Sequence, residues 1–248
     1  MAGNIHKTKG IVLRTVKYGE TSLIVSIFTE QFGVQSYIIN GVRTSGKKGA
    51  GAANLYQPAA LLDLVVYYNE HKHLHRIKEA KWHLLYQHLL TDVHKNAVTV
   101  FMIELLTKCL KEPEENTALF HFVEDALLEL DKSETAVMSN MPLFFSLQLA
   151  HFFGFKIDDN YSQSRPYLDL QEGSFVATQP SHPYFMEAEA AAITSQFLKV
   201  MQTNELATIR LNHLFRRRLL QGYETFYRLH IDEFSNLKTL PVLREILS

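Results

Sequence analysis

Hydrophobic and polar positions change their period once along the chain. Up to about residue 80 the apolar residues come in short β-branched and aromatic runs, at 10–18, 21–30 and 33–43, with Gly19 and Gly33 at the junctions. Turns this short imply antiparallel neighbours. Two further extended runs, 58–70 and 71–80, predict five strands in all. So many short strands leave edges to protect, and a small closed or partly open barrel is the predicted architecture. Between the third and fourth strands, TSGKKGAGAAN reads as a mobile, cationic loop.

From Lys81 the period is helical. Leu119, Phe122, Val123, Ala126, Leu127 and Leu130 follow the spacing of one buried helix stripe across 117–130. Similar patterns predict helices over 82–94, 98–110, 142–153, 187–201 and 206–230, with breaks at 111–116 and 131–140. The stretch 154–183 follows neither period and holds three of the seven prolines, so an irregular insertion with one hairpin around Gly173 is predicted. The expected fold class is α+β: a five-stranded barrel over 1–80, then a helical bundle over 81–248 that carries the insertion at 154–185.

Composition narrows the class. With 46% apolar and 21% charged residues, a disordered or fibrous chain is excluded. No run approaches the roughly 18 apolar residues of a membrane span, and MAGNIHKTKG lacks the apolar core of a signal peptide. A soluble, cytoplasmic protein with no membrane partner is expected. Cys109 is the single cysteine, which rules out an internal disulfide and a thiolate zinc cage. Net charge is -1, yet residues 1–81 hold 11 Lys or Arg against 5 Asp or Glu, while the remainder holds 14 against 21. A basic front suggests a polyanion partner, since a field of one sign steers and holds the opposite charge.

Motifs for chemistry are few. GVRTSGKK (41–48) approximates a phosphate-cradling loop, but Lys48 stands where the metal-binding hydroxyl belongs and the following GAGAAN does not open an amphipathic helix. Those lysines suit nonspecific contacts to a phosphate backbone better. His71, His73 and His75 alternate, which on one strand would put them on one face, but no carboxylate or cysteine completes a metal set and the i, i+2 spacing disfavours chelation. No GxSxG, HExxH or paired-carboxylate signature is present, so neither catalytic residues, metal nor cofactor is expected. In LNHLFRRRLLQGYETFYRLH, Arg218 falls among Leu211, Phe215 and Gly222, the apolar side, whereas Arg210, His213 and Arg217 form a flanking stripe. A misplaced arginine of this kind either pairs with a carboxylate or rims a groove for a partner segment ending in acidic and aromatic groups.

The run KTKGIVLRTVKYGETSLIVSIFTEQFGVQSYIINGVR, with Gly10, the Tyr18-Gly19-Glu20 turn, Gly33 and the Gly41-Val42-Arg43 exit, resembles the start of the bacterial RecO family of recombination mediators. The order that follows is similar as well: a basic loop, two strands closing an OB barrel, a helical bundle, and a Gly154-Phe155 step into an irregular insertion. The resemblance implies a non-enzymatic, nucleoid-associated protein that binds single- and double-stranded DNA and anneals complementary strands. It further implies contact with the acidic tail of the single-strand binding protein, and action with RecR to load recombinase at gaps. Many family members hold zinc with four cysteines in the insertion. Here 158–183 has none, so zinc is expected to be absent and Tyr161, Tyr167, Leu168, Leu170, Phe175 and Tyr184 to replace it with an apolar cluster.

For DNA, the period of two places Tyr37 and Arg43 on one face, opposite Ile38 and Val42, as stacking and phosphate candidates. Lys47 and Lys48 extend the contact through the loop, and Lys9, Arg14 and Lys17 add phosphate partners on the first strand. Arg210, Leu214, Phe215, Arg217 and Arg218 are the candidate groove for the acidic tail. The competing readings are an OB-fold scaffold that binds only protein, and a nucleotide or metal enzyme using 41–48 or the three histidines.

Overall fold

A computed structural model describes residues 4–42 and 53–247. Its contacts divide the chain into two compact units, residues 1–87 with 110–128, and residues 88–109 with 129–248. The first unit holds β1 (Asn4–Tyr18), β2 (Ser22–Thr29), β3 (Gly33–Ile39), β4 (Leu61–Tyr68) and β5 (His75–Trp82). They close into a barrel in the order β1-β2-β3-β5-β4, with β3 and β5 parallel and every other pair antiparallel.

One long strand makes closure possible. The first half of β1 pairs with β4 and the second half with β2, and a bulge between Val12 and Arg14 turns it from one neighbour to the other. Where the two halves meet stands Gly10, since a Cβ there would lie 2.6 Å from Ile27 Cγ2 and 2.8 Å from Leu64 Cδ1. The barrel is filled by Val12, Leu23, Val25, Ile27, Tyr37, Leu62, Leu64 and Val66. Each such burial stabilises by roughly 1.5–3 kcal/mol before the ordering cost.

The turn from β2 into β3 requires a left-handed residue, and Gly33 supplies it at φ +60, with no room for a Cβ, which would run into Glu114 O. Past this turn, residues 117–128 of helix α2 lie over the outside of the barrel. Phe120 packs on Phe28 at 5.6 Å between ring centroids. The full helix runs Thr117–Lys132 and follows an irregular 110–116, as its stripe predicts.

In the second unit α1 (Val93–Cys109), α3 (Thr135–His151), α4 (Ala188–Leu198), a 3-10 turn (Thr203–Thr208), α5 (His213–His230) and α6 (Thr239–Ile246) surround one another. The helix expected over 82–94 does not form: Trp82 ends β5 opposite Leu62, and 83–92 is irregular. Asp131 Oδ1 holds that connection by accepting from the amides of His88 (2.8 Å) and Leu89 (2.7 Å), while Leu85 is exposed. Asp92 then caps α1 through the amides of His94 and Lys95.

Helix α3 begins seven residues before the expected 142, and the expected break at 131–140 shrinks to Ser133 and Glu134. Pro142 sits inside it. Residues Met138 to Ala150 are buried on nearly every side, so an apolar face could not mark this helix against a polar one. Below the bundle sequence lies the insertion: β6 (Tyr167–Asp169), β7 (Ser174–Val176) and β8 (Phe185–Met186) in the order β7-β6-β8, with Gly173 at φ +62 in the predicted hairpin.

Candidate nucleic-acid interface

Strand alternation and register set out the barrel's outer surface. Arg14, Ser26 and Ser36 form one row across β1, β2 and β3, and Val16, Ile24 and Ile38 form the next. Tyr18 stands beside Ser22 in a third row. The second row continues from Ile38 to Arg76 of β5 and from Arg76 to Tyr67 of β4. No position named in these rows is a carboxylate. Arg14, Val16, Lys17, Tyr18, Tyr67 and Arg76 are exposed, with Tyr18 at 53%. With strands about 4.8 Å apart, aliphatic and aromatic surface for bases lies within one side chain's reach of guanidinium groups for phosphates.

A different face is charge-balanced. The outer side of β1, β4 and β5 lines a cavity of about 710 Å³ in which Lys7, Lys9 and Lys81 oppose Glu30, Asp63 and Glu79. Lys9 Nζ is 2.7 Å from Glu124 and 4.0 Å from Glu30, and Lys81 is 3.4 Å from Asp63. His121 lies 3.3 Å from Glu30 and 3.2 Å from Glu124, and His83 Nδ1 is 2.8 Å from Asp63. Burial acts to raise the Asp63 carboxyl, but His83 and Lys81 outweigh it and hold it below the usual range. Charges that cancel locally leave little field for a polyanion.

The sequence-derived DNA candidates separate accordingly. Arg14 and Lys17 are exposed, Arg14 within the carboxylate-free face. Lys9 is committed to Glu124 by two hydrogen bonds of 2.9 and 2.7 Å, which corrects its assignment as a free phosphate partner. Tyr37 is corrected too: it is fully buried inside the barrel, its hydroxyl has no hydrogen-bond partner, and burial pushes its phenol well above the ordinary value. A ring with no accessible face cannot stack on a base. Arg43, Lys47 and Lys48 lie outside the described residues. Tyr18, Tyr67 and Arg76, exposed on the same rows, were not among the candidates, although their alternation with buried neighbours was present in the strands.

The three histidines do not share a strand face. His71 and His73 lie exposed ahead of β5, while His75 is buried with Nε2 3.0 Å from Gln35 Oε1. Among the described residues, no group of three His, Cys, Asp or Glu side chains is placed to hold a metal ion.

Five helical-unit candidates were expected to build a groove. Arg218 instead reaches Glu187 at 3.2 Å in an exposed ion pair, so it is not on the buried side of α5. Leu214 is 64% exposed, Phe215 half-buried, and Arg210 and Arg217 exposed. The inward arginine is Arg216, whose Nε donates to Asn140 Oδ1 at 2.9 Å, while Asn140 Nδ2 donates to the carbonyls of Leu206 and Ile209. Burial lowers the Arg216 pKa.

The insertion has no thiolate donors and does not fit a zinc ion. Leu168, Leu170 and Phe175 are buried with Ile157 and Met186, and Tyr161 meets Phe175 edge-on at 5.4 Å. Tyr167 packs on Phe185 at 6.1 Å, whereas Tyr184 is exposed and stands outside the cluster. Polar staples complete it. Asn160 accepts from the amide of Phe175 (2.7 Å) and donates to its carbonyl (3.2 Å), and Asp169 caps the hairpin through the amides of Gln171 and Glu172.

Barrel order, the helical unit and the small stapled sheet within it define a class: proteins built on an OB fold followed by a helical domain. Family models for the recombination protein O N terminal and C terminal match residues 1–86 and 90–241. The DNA repair protein RecO of Phocaeicola vulgatus is 31% identical, over 98% of this chain and all of that one. That of Bacteroides fragilis is 31% identical over 98% and 99%, and that of Christiangramia forsetii 32% over 96% and 98%. The chain belongs to the RecO family.

Proposed function

We propose that this protein acts in DNA repair and recombination as a non-enzymatic mediator. It binds single- and double-stranded DNA, anneals complementary strands, and meets the single-strand binding protein's tail and RecR to promote recombinase loading at gaps. Family membership supports the general role, as do relatives named for DNA repair. Among the described residues no helix is long and apolar enough to cross a membrane.

The observation that carries the DNA reading is the set of outer rows on β1, β2 and β3, whose paired positions hold no carboxylate, where Arg14 and Arg76 flank Val16, Ile24 and Ile38 with Tyr18 at the edge. Cations there neutralise phosphates and release counterions, while bases lie on the aliphatic and aromatic surface. Anisotropy titrations of a fluorescent oligothymidine across a salt series test it. Replacing Arg14 and Arg76 by Gln together is expected to flatten the log-log salt slope by about 0.7 for each lost contact. Tyr18→Ala is expected to weaken binding by about 1–3 kcal/mol without changing the slope. Absence of oligonucleotide binding by the wild type in dilute buffer would replace this reading with that of a protein-binding scaffold.

A further inference from the structure

The barrel closes most thinly between β3 and β5. Two residue pairs join these strands, Tyr37 with His75 and Ile38 with Arg76. They occupy opposite faces: the first pair is inside the barrel and the second lies on the carboxylate-free face described above. Parallel pairing is also somewhat weaker per residue than antiparallel. Whatever holds His75 therefore holds the next residue, Arg76.

The interior pair has a defined proton pattern. Gln35 Nε2 donates to Phe32 O at 2.7 Å, which leaves its Oε1 to accept from His75 Nε2 at 3.0 Å. With the proton on Nε2, His75 Nδ1 is a bare acceptor, and it has no hydrogen-bond partner. The Tyr37 hydroxyl, on a ring 5.9 Å away, is likewise unpartnered. A second proton on this imidazole would place a charge in a buried site, a cost that the carbonyls of Tyr67 and Lys72 offset only in part. The groups facing it are Tyr37 from β3 and Tyr68 from β4, whose ring stacks on it at 5.2 Å. Lys72 and His73 lie in the preceding turn, and His6 of β1 meets the same Tyr68 ring. Burial holds His75 below the ordinary histidine range, with Lys72 and His73 pushing the same way against the carbonyls of Tyr67 and Lys72.

We propose that neutral His75 is a positioning residue for the nucleic-acid face: it keeps the β3–β5 seam closed and so holds Arg76 beside Ile38, and its protonation releases that grip. This rests on the nucleic-acid reading above and adds its dependence on pH. The coupling is reciprocal, so an oligonucleotide that needs the closed seam must in turn oppose protonation of His75. That sign is diagnostic. Nearby phosphates alone raise an imidazole's pKa.

The test uses the full chain and oligothymidine. Histidine ring resonances are followed by NMR from pH 8 to pH 5 with and without the oligonucleotide, His75 being assigned through His75→Gln. The His75 pKa is expected to fall on binding. Affinity of the wild type at pH 5.5, relative to pH 8, is expected to lag that of His75→Gln by about threefold, since a group that titrates below the ordinary histidine range transmits only part of a one-unit shift at this pH. A His75 pKa that stays or rises on binding overturns the proposal; it is read on the wild-type protein, the variant serving only to assign the resonance. Identical pH profiles for a folded His75→Gln and the wild type overturn it as well, with the DNA reading left standing. No binding at pH 8 removes the DNA reading and this proposal with it.

Discussion

Gly10 and Gly33 have different reasons for lacking a side chain. At Gly10 the limit is packing, so Ala forces Ile27 and Leu64 off their positions, at a cost of about 1–3 kcal/mol in a urea melt. At Gly33 the obstacle is backbone, Glu114 O, together with a positive φ, so Ala there is expected to cost more than at Gly10. His75 contributes in a pH-dependent way. Its folded pKa is depressed, so the unfolded chain takes the proton first, and stability is intact above about 6.5 and lost as pH falls below it. His151, lowered by burial, acts in the same direction. Thermal melts should show the loss on the acid side, and His75→Gln should reduce it without abolishing it. The sequence placed Tyr37 outward for a physical reason: both faces of β3 carry apolar residues, Tyr37 and Ile39 on one and Val34 and Ile38 on the other. Alternation then reveals the two faces without revealing which is wet.

Among the elements, legibility followed contrast between faces. Helix α2 has a solvent side and a barrel side, and its stripe located it to within two residues. Helix α3 lacks that contrast, and Pro142 disguised it further by suggesting a start where the helix was already two turns old. Leu84 and Leu85 produced the opposite error, apolar at helical spacing yet exposed. Helix α6 was not anticipated, and at eight residues it offers little more than two turns of pattern. The insertion holds the hairpin expected around Gly173, but Asn160 carried no signal, since its importance comes from meeting Phe175 fifteen residues on. Asn160→Ala breaks both bonds and is expected to destabilise the protein by about 1–3 kcal/mol. A chelator should leave the melting temperature unchanged. A drop on chelation would show that a metal helps to hold these strands.

For the whole molecule, the excess of cations in residues 1–81 pointed to one end of the chain for a polyanion but not to a surface. In space Lys9 and Lys81 are neutralised by carboxylates, one of them Glu124, far along the sequence. Composition sums charges along the chain, whereas a ligand meets them after pairing. Glu124→Gln should therefore do two things at once. It loosens α2 from the barrel by removing the partner of Lys9, at a cost of about 2 kcal/mol, and it frees a cation at the rim of the 710 Å³ cavity. A lower melting temperature together with a steeper salt dependence of oligonucleotide binding is the expected outcome. A steeper slope without destabilisation would mean that Lys9 and Glu124 contribute nothing to holding α2.

The first unit takes its last stretch, residues 110–128, from beyond the chain that begins the second. During synthesis the five strands leave the ribosome well before Phe120 arrives to cover Phe28 and before Glu124 arrives to meet Lys9. For that interval a nascent barrel shows the cell an uncovered aromatic flank, which is the kind of surface chaperones hold and aggregation exploits. A gene fragment stopped at codon 87 would make that interval permanent, whereas one carried through codon 128 would end it.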